Sequence, residues 1–341
     1  MIVENLAQSG LILIEGVPGS GTSTLAHSLL RRYAARGIAS RWWYEEEAGH
    51  PLYLFHDAAS LQRVLDDLAA GNHRQVIDAV LERWRALSQR IQASGTVVIL
   101  DSCFFGYLTW TLFPFDIPEQ VITAYLTQVE RIIRTANPCL IYLYQDDVGE
   151  ALRKICRRRG GNTEQRFISN ATESAYGKRR GLRGFDGMVS FWRSYRAITD
   201  GACARIRFPK LAIENSAGDW LAYQHAALRF LDLPTTDAPE AIVQELDRFV
   251  GDYRDRSGDA ESVCRVRMAK NALLIDDLSL VWPENPLIPI SVNRFAVESF
   301  PFTVQFEEDG TGAIEGMVVT GAALLSGTID RRFVRHRDET E

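Results

Sequence analysis

Leu11-Ile12-Leu13-Ile14 leads into Gly16-Val17-Pro18-Gly19-Ser20-Gly21-Thr22-Ser23, and Leu25, Leu29, Leu30 and Tyr33 then recur at helical spacing. The short apolar run is continuous and rich in isoleucine, which suits a strand buried on both faces. Gly37 stands where a helix C′ glycine is expected. The predicted order is therefore strand, glycine-rich loop, helix.

Physically, such a loop is an anion cradle. Glycines at 16, 19 and 21 let the backbone turn tightly, so that successive N–H groups can point at phosphate oxygens. The loop ends on a helix N-terminus, whose free donors and dipole favour negative charge. Gly16 and Gly21 keep the Walker A spacing, and Ser23 stands at that pattern's magnesium-binding hydroxyl. Thr22 occupies the position normally held by lysine, so the loop brings no cation of its own. Pro18 with Ser20-Gly21-Thr22-Ser23 also resembles the loop with which sulfotransferases hold the phosphate of their sulfate donor, although those loops usually have a basic residue where Gly19 stands. Two phosphate chemistries thus compete for one loop.

The chain has 341 residues, 46% hydrophobic and 24% charged, the balance of an ordinary globular protein with room for one large domain or a large and a small one. A net charge of −6 gives no basic field for nucleic acid or an anionic membrane. No apolar run approaches the roughly 18–20 residues of a membrane span, and the first residues lack a basic-then-apolar signal pattern. Cys103, Cys139, Cys156, Cys203 and Cys264 are dispersed, which argues for reduced thiols in a cytoplasm and against a zinc site or a disulfide scaffold.

Beyond the first helix, residues 38–44 read as a second strand ending in Glu45-Glu46-Glu47. Open α/β sheets bind ligands beyond their strand ends, where a carboxylate can accept a proton from an attacking hydroxyl. His50, beside Pro51, reads as a packing residue. Helices are predicted over 57–70 and 74–93. Residues 96–100 form another buried strand, followed by Asp101, an acidic strand end of the kind a magnesium contact needs. Phe104 to Phe115 is dense in aromatics that read mainly as core. A helix over 118–137, a strand over 138–144 and an amphipathic helix over 147–159 follow. Arg157, Arg158, Arg159, Arg166, Lys178, Arg179, Arg180 and Arg183 make a basic, glycine-punctuated region in an acidic chain, as expected of a lid that closes arginines over phosphates. A helix over 185–199, a strand over 205–213 and a helix over 220–231 complete the alternation. The predicted fold is α/β, a doubly wound parallel sheet with a helical lid.

With these elements in place, residues 8–233 resemble P-loop kinases of the thymidylate kinase and deoxynucleoside kinase group. The resemblance rests on residues 16–23, the glutamates after the second strand, and Val98-Ile99-Leu100-Asp101-Ser102. It rests also on the strand from Pro138 leading to Ala151-Leu152-Arg153-Lys154 and Arg158-Arg159-Gly160. Residues 214–219 are placed like that group's loop against the donor adenine. The resemblance implies phosphoryl transfer from ATP with Mg2+ to a small-molecule hydroxyl, on a nucleoside, nucleotide or related metabolite. It implies donor contacts at Gly16, Gly19, Ser20, Gly21, Thr22, Ser23 and Thr24, metal contacts at Ser23 and Asp101, and catalytic roles for Glu46, Glu47, Asp101, Arg158 and Arg159. Thr22 departs from the lysine, although a Gly-Thr version of the loop occurs in archaeal-type cytidylate kinases. Ser102 stands where the group has an arginine that orients the acceptor, which points to an acceptor other than the usual nucleotide. The competing readings are sulfotransfer and a nucleotide-binding regulatory module without catalysis.

Pro234 to Pro239 is a linker by composition, followed by a helix over 239–249. From about Cys264 short alternating strands with turn signals take over, predicted at 265–268, 272–275, 280–282, 295–299, 303–307 and 316–319. Their spacing predicts an antiparallel sheet or small barrel. Residues 249–254, Leu287-Ile288-Pro289 with Phe295, and 304–312 resemble the lipocalin-like domain often appended to serine hydrolases. That resemblance implies a fold and no catalytic residues. The domain boundaries so expected are 1–233, 234–245 and 246–341; a homodimer is compatible with this layout, with no nucleic-acid or membrane partner.

Overall fold

The continuous apolar runs become central strands. The computed structural model describes residues 9–236, 245–255, 262–323 and 327–336. Contacts divide the chain into two units, Met1–Glu45 with Gly49–Thr236, and Glu46–Ala48 with Asp237–Glu341.

In the first unit, β1 (Leu11–Gly16), α1 (Thr22–Ala35), β2 (Ser40–Trp43), α2 (Ala58–Ala69), α3 (His73–Ser94), β3 (Val97–Asp101), α4 (Tyr107–Leu112), α5 (Glu119–Ile133), β4 (Pro138–Tyr144), α6 (Val148–Arg159), α7 (Thr163–Thr172), α8 (Ala175–Arg179), α9 (Gly184–Arg205), β5 (Lys210–Glu214) and α10 (Trp220–Phe230) follow in order. The five strands form a wholly parallel sheet, β2-β3-β1-β4-β5. β1 lies at its centre, and Leu11, Ile12, Leu13 and Ile14 are fully buried, as a strand covered on both faces requires. Helix starts are set by side chains. Asp57 and Ser60 form a reciprocal capping box on α2, and Asp147 and Asp219 accept first-turn N–H groups of α6 and α10.

α9 runs to Arg205 where a helix ending at Thr199 was expected, because Ala202, Cys203 and Ile206 extend its buried face; β5 starts correspondingly late, at Lys210. Among the described residues no helix is long and apolar enough to cross a membrane, and all five cysteines are free and buried.

The second unit holds β6 (Gly251–Asp255), β7 (Val263–Ala269), β8 (Ala272–Asp276), β9 (Asn285–Ser291), β10 (Arg294–Val297), β11 (Phe302–Glu308), β12 (Ile314–Ala323) and β13 (Gly327–Arg335). They close into an antiparallel barrel, with β13 pairing β6. The strand expected at 280–282 is a turn, in which Leu280 adopts φ 70°, and the strand instead is β9. Of the helix expected over 239–249, residues 239–244 lie outside the described residues, and Leu246–Phe249 is a single 3-10 turn. An eight-stranded barrel is just wide enough for side chains to fill. Here Phe249, Phe295 and Phe306 pack with ring centroids 4.7–5.6 Å apart, and Tyr253, Val304, Met317 and Phe333 are buried with them.

One end of this barrel is held by Arg335, whose guanidinium donates to the carbonyls of Arg248, Val250 and Ile314. Arg335→Ala is expected to destabilise the barrel by about 2–4 kcal/mol, because three carbonyls lose a charged donor at once. Thermal unfolding followed by hydrogen exchange of the peptides covering β6, β12 and β13 checks it. A midpoint unchanged from wild type would refute the role.

Candidate functional site

At the end of β1 the chain turns sharply, the Ser20 N–H bonding to the Val17 carbonyl at 3.0 Å. Gly19 and Gly21 take left-handed φ of 83° and 87°, which side chains rarely adopt. Gly21 is the N-cap of α1; no side chain caps this end, and no acidic residue lies in the first turn. The N–H groups of Thr22 and Ser23, the first two of α1, thus point to an outside acceptor.

Three elements clasp the loop. A Cβ on Gly19 would sit 2.8 Å from Ile155 of α6, and one on Gly21 would sit 1.9 Å from Cη2 of Trp220 at the start of α10. Asn215, between β5 and α10, donates its amide to the Ser20 carbonyl at 2.5 Å. The two glycines are therefore required by packing as well as by dihedral angle. The Ser20 hydroxyl is buried without a partner beneath Gly16.

Beside α1 stands Asp101, the fully buried last residue of β3, paired in register with Ile14. Ser102 follows in left-handed conformation, φ 52°. Its hydroxyl donates to Asp101 Oδ1 at 3.1 Å and lies 3.1 Å from the Thr22 hydroxyl. Asp101 Oδ2 is buried and has no hydrogen-bond partner. Burial pushes the Asp101 carboxyl up to about 6, while the hydroxyls of Ser23, Thr22 and Ser102 and the Trp42 indole favour its ionised form. The Ser23 and Trp42 groups do this from nearby without closing a bond of full geometry onto Oδ2.

One residue of this cluster escaped the sequence reading. Glu15, fully buried just before Gly16, accepts four successive backbone N–H groups. Oε1 takes those of Cys103 and Phe104 at 2.9 and 2.7 Å, and Oε2 those of Phe105 and Gly106 at 2.9 and 3.2 Å. Burial pushes its pKa up and the N–H groups of Phe104, Phe105 and Cys103 pull it down; with N–H donors facing both oxygens, the group is held as the ionised acceptor. The available signal was a carboxylate inside an otherwise apolar strand, which has to be paired to be tolerated there.

The remaining expected residues are distributed differently. Glu45 is half-buried, Glu46 exposed and Glu47 buried in the turn after β2, and Glu46 and Glu47 are grouped with the second unit. His50 is a packing residue: Nδ1 accepts the Leu52 N–H at 3.3 Å, its ring stacks on Tyr53 at 4.2 Å, and burial lowers its pKa to about 3. Its Nε2 lies 3.3 Å from Cys103 Sγ, whose S–H points to the Asp101 carbonyl at 3.0 Å. Burial holds the Cys103 thiol well above its ordinary range, so this pair lacks the thiolate that a nucleophile needs.

The basic region lies along α6 to α8. Arg153 rests on Phe185, Arg157 pairs with Glu150, Arg159 rests on Phe167, and Arg179 and Arg180 pair with Asp116. Arg158 is exposed. Arg158 and Arg159 follow Ile155 by three and four residues, so they continue the face of α6 that meets Gly19. Gly160 and Gly161, both left-handed, separate α6 from α7.

The structure thus brings Gly16, Gly19, Ser20, Gly21, Thr22, Ser23, Asp101 and the unforeseen Glu15 into one place, with Thr24 in the first turn of α1. No protein-family model matches this chain, and no curated protein matches it either.

Proposed function

We propose that the first unit is an ATP-dependent kinase that moves the γ-phosphate to a hydroxyl of a small molecule. The observation that carries this reading is the uncapped start of α1 standing beside a buried carboxylate with one unpartnered oxygen. Amides and hydroxyls of residues 19–24 would hold the phosphates. Ser23 and Asp101 would hold Mg2+, and they suit it: both offer hard oxygen, and a nucleotide-bound magnesium needs only one or two protein ligands. The absence of a cluster of three His, Cys, Asp or Glu side chains among the described residues is compatible with that need. When bound, the ion supplies charge neutralisation at the β- and γ-phosphates. The acceptor stays at the level of a hydroxyl-bearing metabolite or nucleoside analogue.

Purified protein with Mg2+, γ-labelled ATP and a panel of nucleosides and hydroxylated metabolites is expected to label at least one acceptor. Tight binding of a sulfate donor with no response to magnesium-ATP would favour sulfotransfer instead, and binding without turnover would favour a regulatory module.

With Thr22 in the lysine position, positive charge has to arrive from α6. Arg158→Ala and Arg159→Ala are expected to lower turnover by about 100-fold or more, and Thr22→Ala by no more than about threefold. Steady-state rates at saturating ATP decide it. Small, equal effects in all three variants would remove the arginines from the reaction.

A further inference from the structure

Glu15 lies at a junction that the kinase reading leaves unexplained. We propose that its carboxylate is a positioning residue, a clamp that sets the 102–106 turn and so holds Asp101 and Ser102 toward the start of α1; this rests on the proposed phosphate-transfer function. A carboxylate can accept at both oxygens at once, and here each oxygen receives two N–H groups from consecutive residues. The turn is anchored again by Ser102 N–H on the Ile14 carbonyl at 2.9 Å and by Tyr195, whose hydroxyl donates to the Phe105 carbonyl. It is also tight: a Cβ on Gly106 would sit 1.8 Å from the Ser102 carbonyl oxygen. Ser102 is left-handed at φ 52°, and that conformation turns its hydroxyl onto both Asp101 and Thr22. A backbone held in so unfavourable a region persists only when its surroundings over-determine it, and the Glu15 bonds supply that determination. The residue before the glycine-rich loop thereby fixes the geometry of the carboxylate on the neighbouring strand.

Glu15→Gln tests this, because an amide nitrogen cannot accept and would face two of the four N–H groups. In the full-length protein two quantities are read: ATP affinity by calorimetry with Mg2+ or with EDTA, and hydrogen exchange of the peptide covering residues 102–107. Wild type is expected to gain about tenfold in affinity from Mg2+. Glu15→Gln should bind metal-free ATP within about twofold of wild type, gain less than about twofold from Mg2+, and exchange the 102–107 amides about 100-fold faster. Should Glu15→Gln fail to fold, Tyr195→Phe, which removes the second anchor and keeps all four Glu15 bonds, should leave the magnesium gain and the slow 102–107 exchange intact; loss of both there would overturn Glu15 as the clamp. Glu15→Gln with slow exchange and an intact magnesium gain overturns the clamp while leaving the kinase reading standing. Wild-type protein that binds no ATP under either condition overturns that reading, and the positioning role with it.

Discussion

Asp101→Asn is expected to lower phosphate transfer by about 1000-fold while making the unliganded protein more stable. The loss follows from the proposed metal contact: an amide oxygen keeps the shape of Oδ1 but removes the charge that would hold Mg2+ beside Ser23. The gain follows from burial. Asp101 is fully buried, and its pKa is raised from 3.8 to about 6, so ionising it costs the folded state free energy that the unfolded chain does not bear. The folded protein therefore holds a proton that the unfolded chain has lost between about pH 4 and pH 6. Its stability is greatest below the unfolded pKa, falls as pH rises through the folded value, and is flat above it. The fall is on the order of 2–3 kcal/mol for a shift of this size. Asparagine does not titrate, and its amide can donate to the Ser23 hydroxyl from the position of the unpartnered Oδ2. At pH 7 the variant's midpoint should therefore rise by roughly 5 °C, and the difference from wild type should vanish near pH 4. Differential scanning calorimetry across that range, with transfer assays alongside, reads both effects. Wild-type turnover would remove Asp101 from the metal; a lowered midpoint at pH 7 would show that its charge is compensated in the unliganded fold.

How much of this was legible in the sequence depended on whether a residue's role is local. The run Leu11 to Ile14 and the glycines after it announce their own conformation, so the parallel sheet and the uncapped α1 follow from spacing alone. Asp101 was legible for the same reason, as a carboxylate at the end of an apolar strand. Glu15 was not, since its four partners lie 88 to 91 residues away and no periodicity links them. In the barrel, β9 was hidden by Pro286 and Pro289, residues that ordinarily argue against a strand. It forms because a proline keeps its carbonyl, and that of Pro286 still accepts the Glu298 N–H at 2.9 Å. β13 was not among the expected strands, because Asp330, Arg331 and Arg332 interrupt the apolar–polar alternation that marks one. Arg331 is held by Asp255, which the closing pairing of β13 with β6 brings alongside, and Arg332 by Glu307 of β11, one strand beyond β12.

The glycine at position 21 carries the second large effect, and it separates the two demands placed on the loop. Gly21→Ala is expected to cost about 3–5 kcal/mol of stability and to weaken ATP binding at least about 100-fold. Part of the cost is conformational, since φ is 87°; the rest is steric, since the new methyl would lie 1.9 Å from Trp220. Trp220→Ala alone gives up a half-buried ring that meets Gly21 and the edge of Tyr223, and should cost only about 1–2 kcal/mol. In the double variant the steric share disappears and the conformational share stays, so the two substitutions should couple by about 2 kcal/mol. ATP binding should recover with the stability, to within about tenfold of wild type, because the alanine methyl then fills the space the indole vacated and the Thr22 and Ser23 amides keep their directions. Denaturant titration and calorimetry on the four proteins complete the cycle. Recovery of stability without recovery of binding would place the phosphates on the Trp220 side of the loop, where the methyl intrudes on them directly, and the uncapped start of α1 would no longer be the group that grips the nucleotide.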